Sequence, residues 1–480
     1  FFFKQKTAYE IPKRDWSSDV CSSDLNWKIP LVQSSIGRYR RGPRLCRAPR
    51  VSTPHQVRTA RSRTRPWGMG YRHAPADRSL SSGPVLEQAP AFRQGRTIAN
   101  LAALIGDRFG ARRAYQALAP LADAPLAGHI AGARHLVLLL LDGVGSAQIE
   151  ALCPSGALAA LRQCELDSTF PSSTAPAITT FATGTAPGEH AVTGWHLWSP
   201  MHRAVVRPLP LDFWGTPGKV EARDLFHWSP LTDRMRIAST ILQPGSIADS
   251  SFTRHAFNGA RRIGYSNPDE VRQQIVEVLA QPSPTGHFVY AYLPQFDSSA
   301  HEYGCTAAPS GRTLARLDAL FGDLVAALAK HDVLLLATAD HGFIDIPEQQ
   351  HFRLEHFPEL AALLDTPLTG EPRVAFCNVR AGQSEAFCDL AAEMLGDAFD
   401  CHRSTDLIHA GYFGPIHGTA LRSRIGSHTL IGRDRHCLTQ TLSGEKPPNF
   451  IGMHGGLHPD EMRVSVAAAY RGNRISAPAI

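Results

Sequence analysis

Long hydrophobic runs are missing from this 480-residue chain. No apolar stretch approaches the roughly 20 residues needed to span a bilayer. Paired cysteine spacing is missing too: the seven cysteines after residue 80 (Cys153, Cys164, Cys305, Cys377, Cys388, Cys401, Cys437) are odd in number and contain no CxxC. That argues against a disulfide framework and against a thiolate zinc site, and the cytoplasm is the expected compartment. Residues 81–480 hold no internal repeat and no low-complexity tract, which sets aside repeat architectures.

Acidic residues are scarce in one place only. Between Asn26 and Leu80 there are 12 Arg and one Lys against the single acid Asp77, without helical or strand period. Such a stretch reads as a basic arm for nucleic acid or, the favoured reading, as translated upstream DNA that never coded. Before it, FFFKQKTAYEI and DWSSDVCSSDL are what a sequencing adapter and its index primer give on translation, so 1–25 is expected to be an artefact. The net charge of +6 therefore misleads: residues 81–480 carry 32 basic and 38 acidic groups, and no nucleic-acid partner is expected. Four hundred residues suffice for one large domain with a substantial core. A chain starting at Ser81 should keep the full-length thermal midpoint; a large fall in that midpoint would contradict this division.

From Ser81 onward the pattern is that of a folded domain. RTIANLAALIGDRFG (96–110) has helical period and closes on a glycine, and AYQALAPLADA follows as short helical pieces. Three segments then repeat one event: HLVLLLLDG (135–143) runs into Asp142, HFVYAYLPQFD (287–297) into Asp297, and DVLLLATADHG (332–342) into Asp340. Continuous apolar runs of that length suit strands buried on both faces of a parallel sheet. Helical stretches at 268–280 and 311–331 intervene. The expected fold is therefore α/β, a doubly wound, mostly parallel sheet flanked by helices. In such sheets ligands bind beyond the carboxyl ends of the strands, where the three acids would converge. The Trp/Pro/Phe/His-rich segment 196–265 reads as long loops over that site. A small inserted α/β lobe is expected at about 368–448.

FPSSTAPAITTFATG (170–184) reads as a loop entering a short helix, with Pro176 in the first turn and Gly184 at the end. Thr174 falls at or next to the N-cap. There its hydroxyl can cap the helix, or it can meet an anion at the positive end of the dipole. Asp340 and His341 are adjacent, Asp297 and His301 are four apart, and His454 stands in GMHGG. With Asp142 these make three carboxylates and three imidazoles beside strand ends or in a glycine-rich loop. Nitrogen and oxygen ligands without thiolate suit Zn²⁺ ahead of Mn²⁺. Two divalent ions would balance three carboxylates and one alkoxide.

The ordered motifs LDGVG, FPSSTAPAITTFATGTAPGEHAVTGW, YLPQFDSSAHEYG, ADHG and HGG resemble the type I phosphodiesterase / nucleotide pyrophosphatase branch of the alkaline phosphatase superfamily, over roughly 96–470. The resemblance implies an alkaline-phosphatase-like fold and two ions about 4 Å apart, as in other two-metal hydrolases. It implies one ion on Asp297, His301 and His454, and one on Asp142, Asp340 and His341. Thr174 would be a further ligand and the nucleophile, forming a phosphothreonine. The partner would be a small-molecule phosphate ester, a nucleotide or nucleotide-sugar among them; the oligomeric state is left open.

Some positions depart from the branch. An Asn usually follows the motif's proline and holds a phosphate oxygen; here Ala177 stands there, which weakens the preference for diesters. Thr174 is followed by Ala-Pro-Ala-Ile and lacks the arginine of a sulfatase motif. Ser172 and Ser173 are rival nucleophiles. His190 is expected to be structural, and His417 and His458 to be non-ligands. A phosphomonoesterase, a phosphonate hydrolase or a catalytically silent metal-binding homologue are the alternatives.

Overall fold

The computed structural model describes residues 89–111, 118–442 and 450–470. The expectations for 1–80 lie outside the described residues.

Strand His135–Leu141 organises the rest. Its neighbours on both sides, His287–Leu293 and Val333–Thr338, run parallel to it. Leu136 through Leu141 are at most 2% exposed, because both faces of this strand lie under helices. Each such side chain contributes about 1.5–3 kcal/mol on burial. Seven strands form the sheet in the order Arg162–Asp167, Arg463–Ala469, Val333–Thr338, His135–Leu141, His287–Leu293, Ala238–Pro244 and Arg261–Tyr265. Only Arg463–Ala469 runs against its neighbours. This is the expected doubly wound, mostly parallel sheet.

The helices match the periodicity closely. Ile98–Arg108 starts on a Thr97 capping box completed by Asn100. Pro268–Leu279 and Ala308–Leu328 each admit proline in the first turn. The short helical pieces expected before residue 124 do not form over the described part; the helix there is Ala124–Gly132, started by Asp123 as its N-cap.

Segment 196–265 departs from the expected loops. It holds a small antiparallel sheet of Leu197–Ser199, Ala204–Arg207 and Asp212–Phe213, and it supplies two strands of the central sheet. Ala238–Pro244 is buried over five of its seven residues, yet its Ser, Thr and Gln hide the apolar run. Arg261–Tyr265 is the sheet edge, with one neighbour only, so its two arginines can face solvent.

After residue 368 an antiparallel sheet forms in the order Thr369–Glu371, Val374–Cys377, His428–Gly432, Phe399–Arg403. Helix Ser384–Leu395 buries Phe387, Ala391 and Leu395 in the apolar cluster of this lobe.

Candidate active site

Beyond the carboxyl ends of the central strands the chain gathers six acidic and imidazole side chains. Asp142 directly follows its strand, and Asp340 lies two residues beyond Thr338. Asp297 and His301 are not at a strand end. They occupy the helix Gln295–Tyr303 that follows strand His287–Leu293, and the i, i+4 spacing sets them on one helix face. His454 follows the two-residue strand Gly452–Met453.

Two groups of potential ligand atoms result. Asp142, Asp340 and His341 form one, and Asp297, His341 and His454 the other, each with its atoms within 4.8 Å of one another. His301 joins through Asp297: its Nε2 is 3.3 Å from Asp297 Oδ1, and His454 Nε2 is 3.8 Å from the same oxygen. His341 is shared, with Nε2 at 3.4 Å from Asp142 Oδ1 and 3.6 Å from Asp340 Oδ2.

The donor set fits cations. Each imidazole has Nδ1 against a backbone carbonyl: His301 on Gly452 at 2.8 Å, His341 on Gly342 at 3.0 Å, His454 on Ser172 at 3.1 Å. Donation through Nδ1 leaves the Nε2 lone pair facing the carboxylates. Asp142 Oδ1 and Asp340 Oδ2 are buried and accept no hydrogen bond among the described residues. Lone pairs facing buried carboxylate oxygens need positive charge between them.

Burial, then Asp340 and Asp297, push the Asp142 carboxyl well above its usual range. Burial, then His341 and His301, hold His454 well below its usual value and so neutral. For His301 burial pulls downward, but the Asp297 charge and hydrogen bond outweigh it and raise the ring.

Helix Thr174–Thr183 points its N-terminus into this cluster and stops at Gly184 in the left-handed conformation, φ 69°. Ser173, not Thr174, is the N-cap residue, and it makes no capping hydrogen bond. The Thr174 hydroxyl is thus not used as a cap: Oγ1 lies 3.1 Å from His341 Nε2. Its two neighbours are committed elsewhere. Ser172 Oγ donates to Gly456 O at 2.8 Å, and Ser173 Oγ donates to a Glu371 carboxylate oxygen.

Ala177 is fully buried and belongs to the main apolar core cluster with Ile178 and Phe181. It lies three residues beyond Thr174 on the same helix and offers no side-chain donor to a phosphate oxygen. His190 is a buried structural group, with Nε2 at 3.1 Å from Thr180 Oγ1. His458 Nδ1 accepts from Asp460 N, and His417 Nε2 sits 3.1 Å from Gly414 O.

Sequence reasoning missed two groups. Tyr292 donates its hydroxyl to Asp142 Oδ2; a tyrosine near the carboxyl end of a fully buried strand was the available signal, since its hydroxyl needs a partner. Glu371, on the lobe's edge strand, is 7% exposed. One of its oxygens accepts from Ser173 Oγ and, at 2.7 Å, from Trp195 N. Burial pushes its carboxyl up to about 7, against the pull of those two hydrogen bonds. No local pattern marks it.

A family model described as type I phosphodiesterase / nucleotide pyrophosphatase matches residues 136–457. No curated protein sequence matches significantly. Among solved structures, murine ectonucleotide pyrophosphatase / phosphodiesterase 5, as an inactive Thr-to-Ala variant in complex with AMP, superposes with a TM-score of 0.54 at 16% identity. The match covers 70% of this chain and 87% of that one. The human protein of the same name gives 0.53 at 16% identity, covering 70% and 87%. At this identity the likeness is one of fold. Among the described residues no helix is long and apolar enough to cross a membrane. With the family model spanning most of the domain and its motifs meeting around one Asp/His cluster, the chain belongs to the type I phosphodiesterase / nucleotide pyrophosphatase family of phosphoric-ester hydrolases, in the alkaline phosphatase superfamily.

Proposed function

We propose that this chain hydrolyses phosphodiester or pyrophosphate bonds through two divalent ions and a covalent phosphothreonine on Thr174. The observation that carries the reading is the placing of Thr174 Oγ1, 3.1 Å from His341 Nε2 at a helix N-terminus, while the Ser172 and Ser173 hydroxyls are bonded elsewhere.

Asp142, Asp340, His341 and Thr174 would hold one ion, and Asp297, His301 and His454 the other, with Zn²⁺ favoured by the nitrogen-rich set. When bound, the ions favour the ionised threonine oxygen and offset negative charge on the phosphoryl group and leaving oxygen. Thr174 Oγ1 gives up its proton to solvent and forms a bond to phosphorus as the bond to the leaving oxygen breaks, and that oxygen departs with a proton from solvent where its pKa requires one. Water then attacks phosphorus and breaks the bond to Thr174 Oγ1, which regains a proton as the phosphorylated product leaves. The positive end of helix Thr174–Thr183 favours the phosphate in both steps. Asp297 and His301, fixed on one helix, keep their spacing throughout.

The murine structural neighbour holds AMP as an inactive Thr-to-Ala variant, which supports a nucleotide-derived substrate here and a threonine at the centre of the chemistry. Assay of the purified protein with Zn²⁺ or Mn²⁺ on bis(p-nitrophenyl) phosphate and p-nitrophenyl phosphate tests the substrate class. The diester should show the higher kcat/KM. Faster monoester turnover would contradict the diester assignment.

A further inference from the structure

We propose that Glu371 is a positioning residue for Thr174, which makes the antiparallel lobe a working part of the active site; this rests on Thr174 being the nucleophile as proposed above. Ser173 occupies the N-cap, where a serine hydroxyl ordinarily accepts a backbone N–H of the first turn. Here it accepts none, and donates to Glu371 Oε1. That same oxygen accepts Trp195 N at 2.7 Å. One carboxylate oxygen therefore ties together the entry of the Thr174 helix, the loop at Trp195 and strand Thr369–Glu371 of the lobe.

The strand is held in register beside this bond. His196 N donates to Gly370 O at 3.2 Å, and Gly370 N to His196 O at 2.7 Å. On the other side the turn carrying His454 presses against the same side chain. Gly455 has φ 115°, and a Cβ there would lie 2.7 Å from Glu371 Cβ. Two residues along, in the turn that joins strands Thr369–Glu371 and Val374–Cys377, Arg373 pairs with Glu461 at 2.8 Å, and Glu461 Oε1 accepts Gly456 N at 2.9 Å. The stretch from Glu371 to Arg373 thus braces both the residue before Thr174 and the turn after His454. Rotation at Ser173 would swing Thr174 Oγ1 away from His341 and out of line with phosphorus. A misplacement of about 1 Å can cost on the order of a hundredfold in rate.

The test compares the full-length protein with Glu371→Ala, Glu371→Gln, Ser173→Ala and the Glu371→Ala/Ser173→Ala pair, loaded with Zn²⁺ and assayed on bis(p-nitrophenyl) phosphate. Metal content and thermal midpoint are read alongside. Glu371→Ala and Ser173→Ala should each lose about a hundredfold in kcat with KM within about threefold and metal content unchanged. Glu371→Gln should recover about tenfold over Glu371→Ala, because its amide oxygen can accept both hydrogen bonds. The double variant should be no slower than Glu371→Ala within about threefold, as expected for two ends of one interaction. Near-normal kcat in either alanine variant overturns the proposal. So does metal lost in step with activity, a Glu371→Gln no better than alanine, or additive losses in the pair. Should Glu371→Ala fail to fold, normal turnover in Ser173→Ala is sufficient to overturn it. An inactive Thr174→Ala beside active Glu371 and Ser173 variants removes this inference alone, whereas an active Thr174→Ala removes the nucleophile on which it rests.

Discussion

Thr174→Ala is expected to lower kcat by several orders of magnitude, with little change in metal content or thermal midpoint. Thr174 is the first helical residue, and its hydroxyl caps nothing, lying 3.1 Å from His341 Nε2. Loss of the side chain should therefore cost the helix no more than about 1 kcal/mol, and alanine is itself a good helix former. The rate is another matter. Without Oγ1 there is no atom to bond to phosphorus, and each tenfold in rate corresponds to about 1.4 kcal/mol of barrier. Thr174→Ser should keep part of the rate, since the oxygen remains and only the methyl that restricts its rotamer is lost. Steady-state kinetics and a thermal melt of the same samples check both halves. Near-normal turnover in Thr174→Ala would end the account.

Asp340→Asn and His454→Ala should each abolish most activity and each remove about one ion per chain. The two residues belong to different groups. Asp340 sits with Asp142 and His341, and its Oδ1 is also held by the backbone N–H groups of Gly143 and His341, both at 3.0 Å. An Asn side chain can keep one amide oxygen on those donors while losing the negative charge the cation needs. His454 faces Asp297 Oδ1 at 3.8 Å and its loss strips one nitrogen from that group. Metal analysis after dialysis should find about one ion fewer in each variant. Loss of both ions from either, or full activity in either, would contradict two separate sites.

The strands that carry Asp142 and Asp340 were legible because burial on both faces forces an unbroken apolar run, as in Leu136–Leu141. Helix Thr174–Thr183 was legible from its punctuation, proline early and glycine at the end. Strand Ala238–Pro244 was not, since Ser239, Thr240 and Gln243 interrupt its apolar run although all three are buried. The placing of Asp297 on a helix was hidden by Pro294, which reads as a break but sits at the N-cap. Glu371 was invisible for a different reason: its partner Ser173 lies 198 positions away, and only the folded lobe brings them together. The six ligand-type residues could be picked out by type and neighbourhood. Glu371 and the carbonyls behind His301 and His454 could not, because each is reached through a long-range hydrogen bond.

Acid quenching during turnover on bis(p-nitrophenyl) phosphate, followed by peptide mass analysis, tests the covalent step most directly. The account predicts the p-nitrophenyl phosphoryl group on Thr174. The same group on Ser172 or Ser173, or no modified peptide when turnover is limited by hydrolysis of the intermediate, would contradict it.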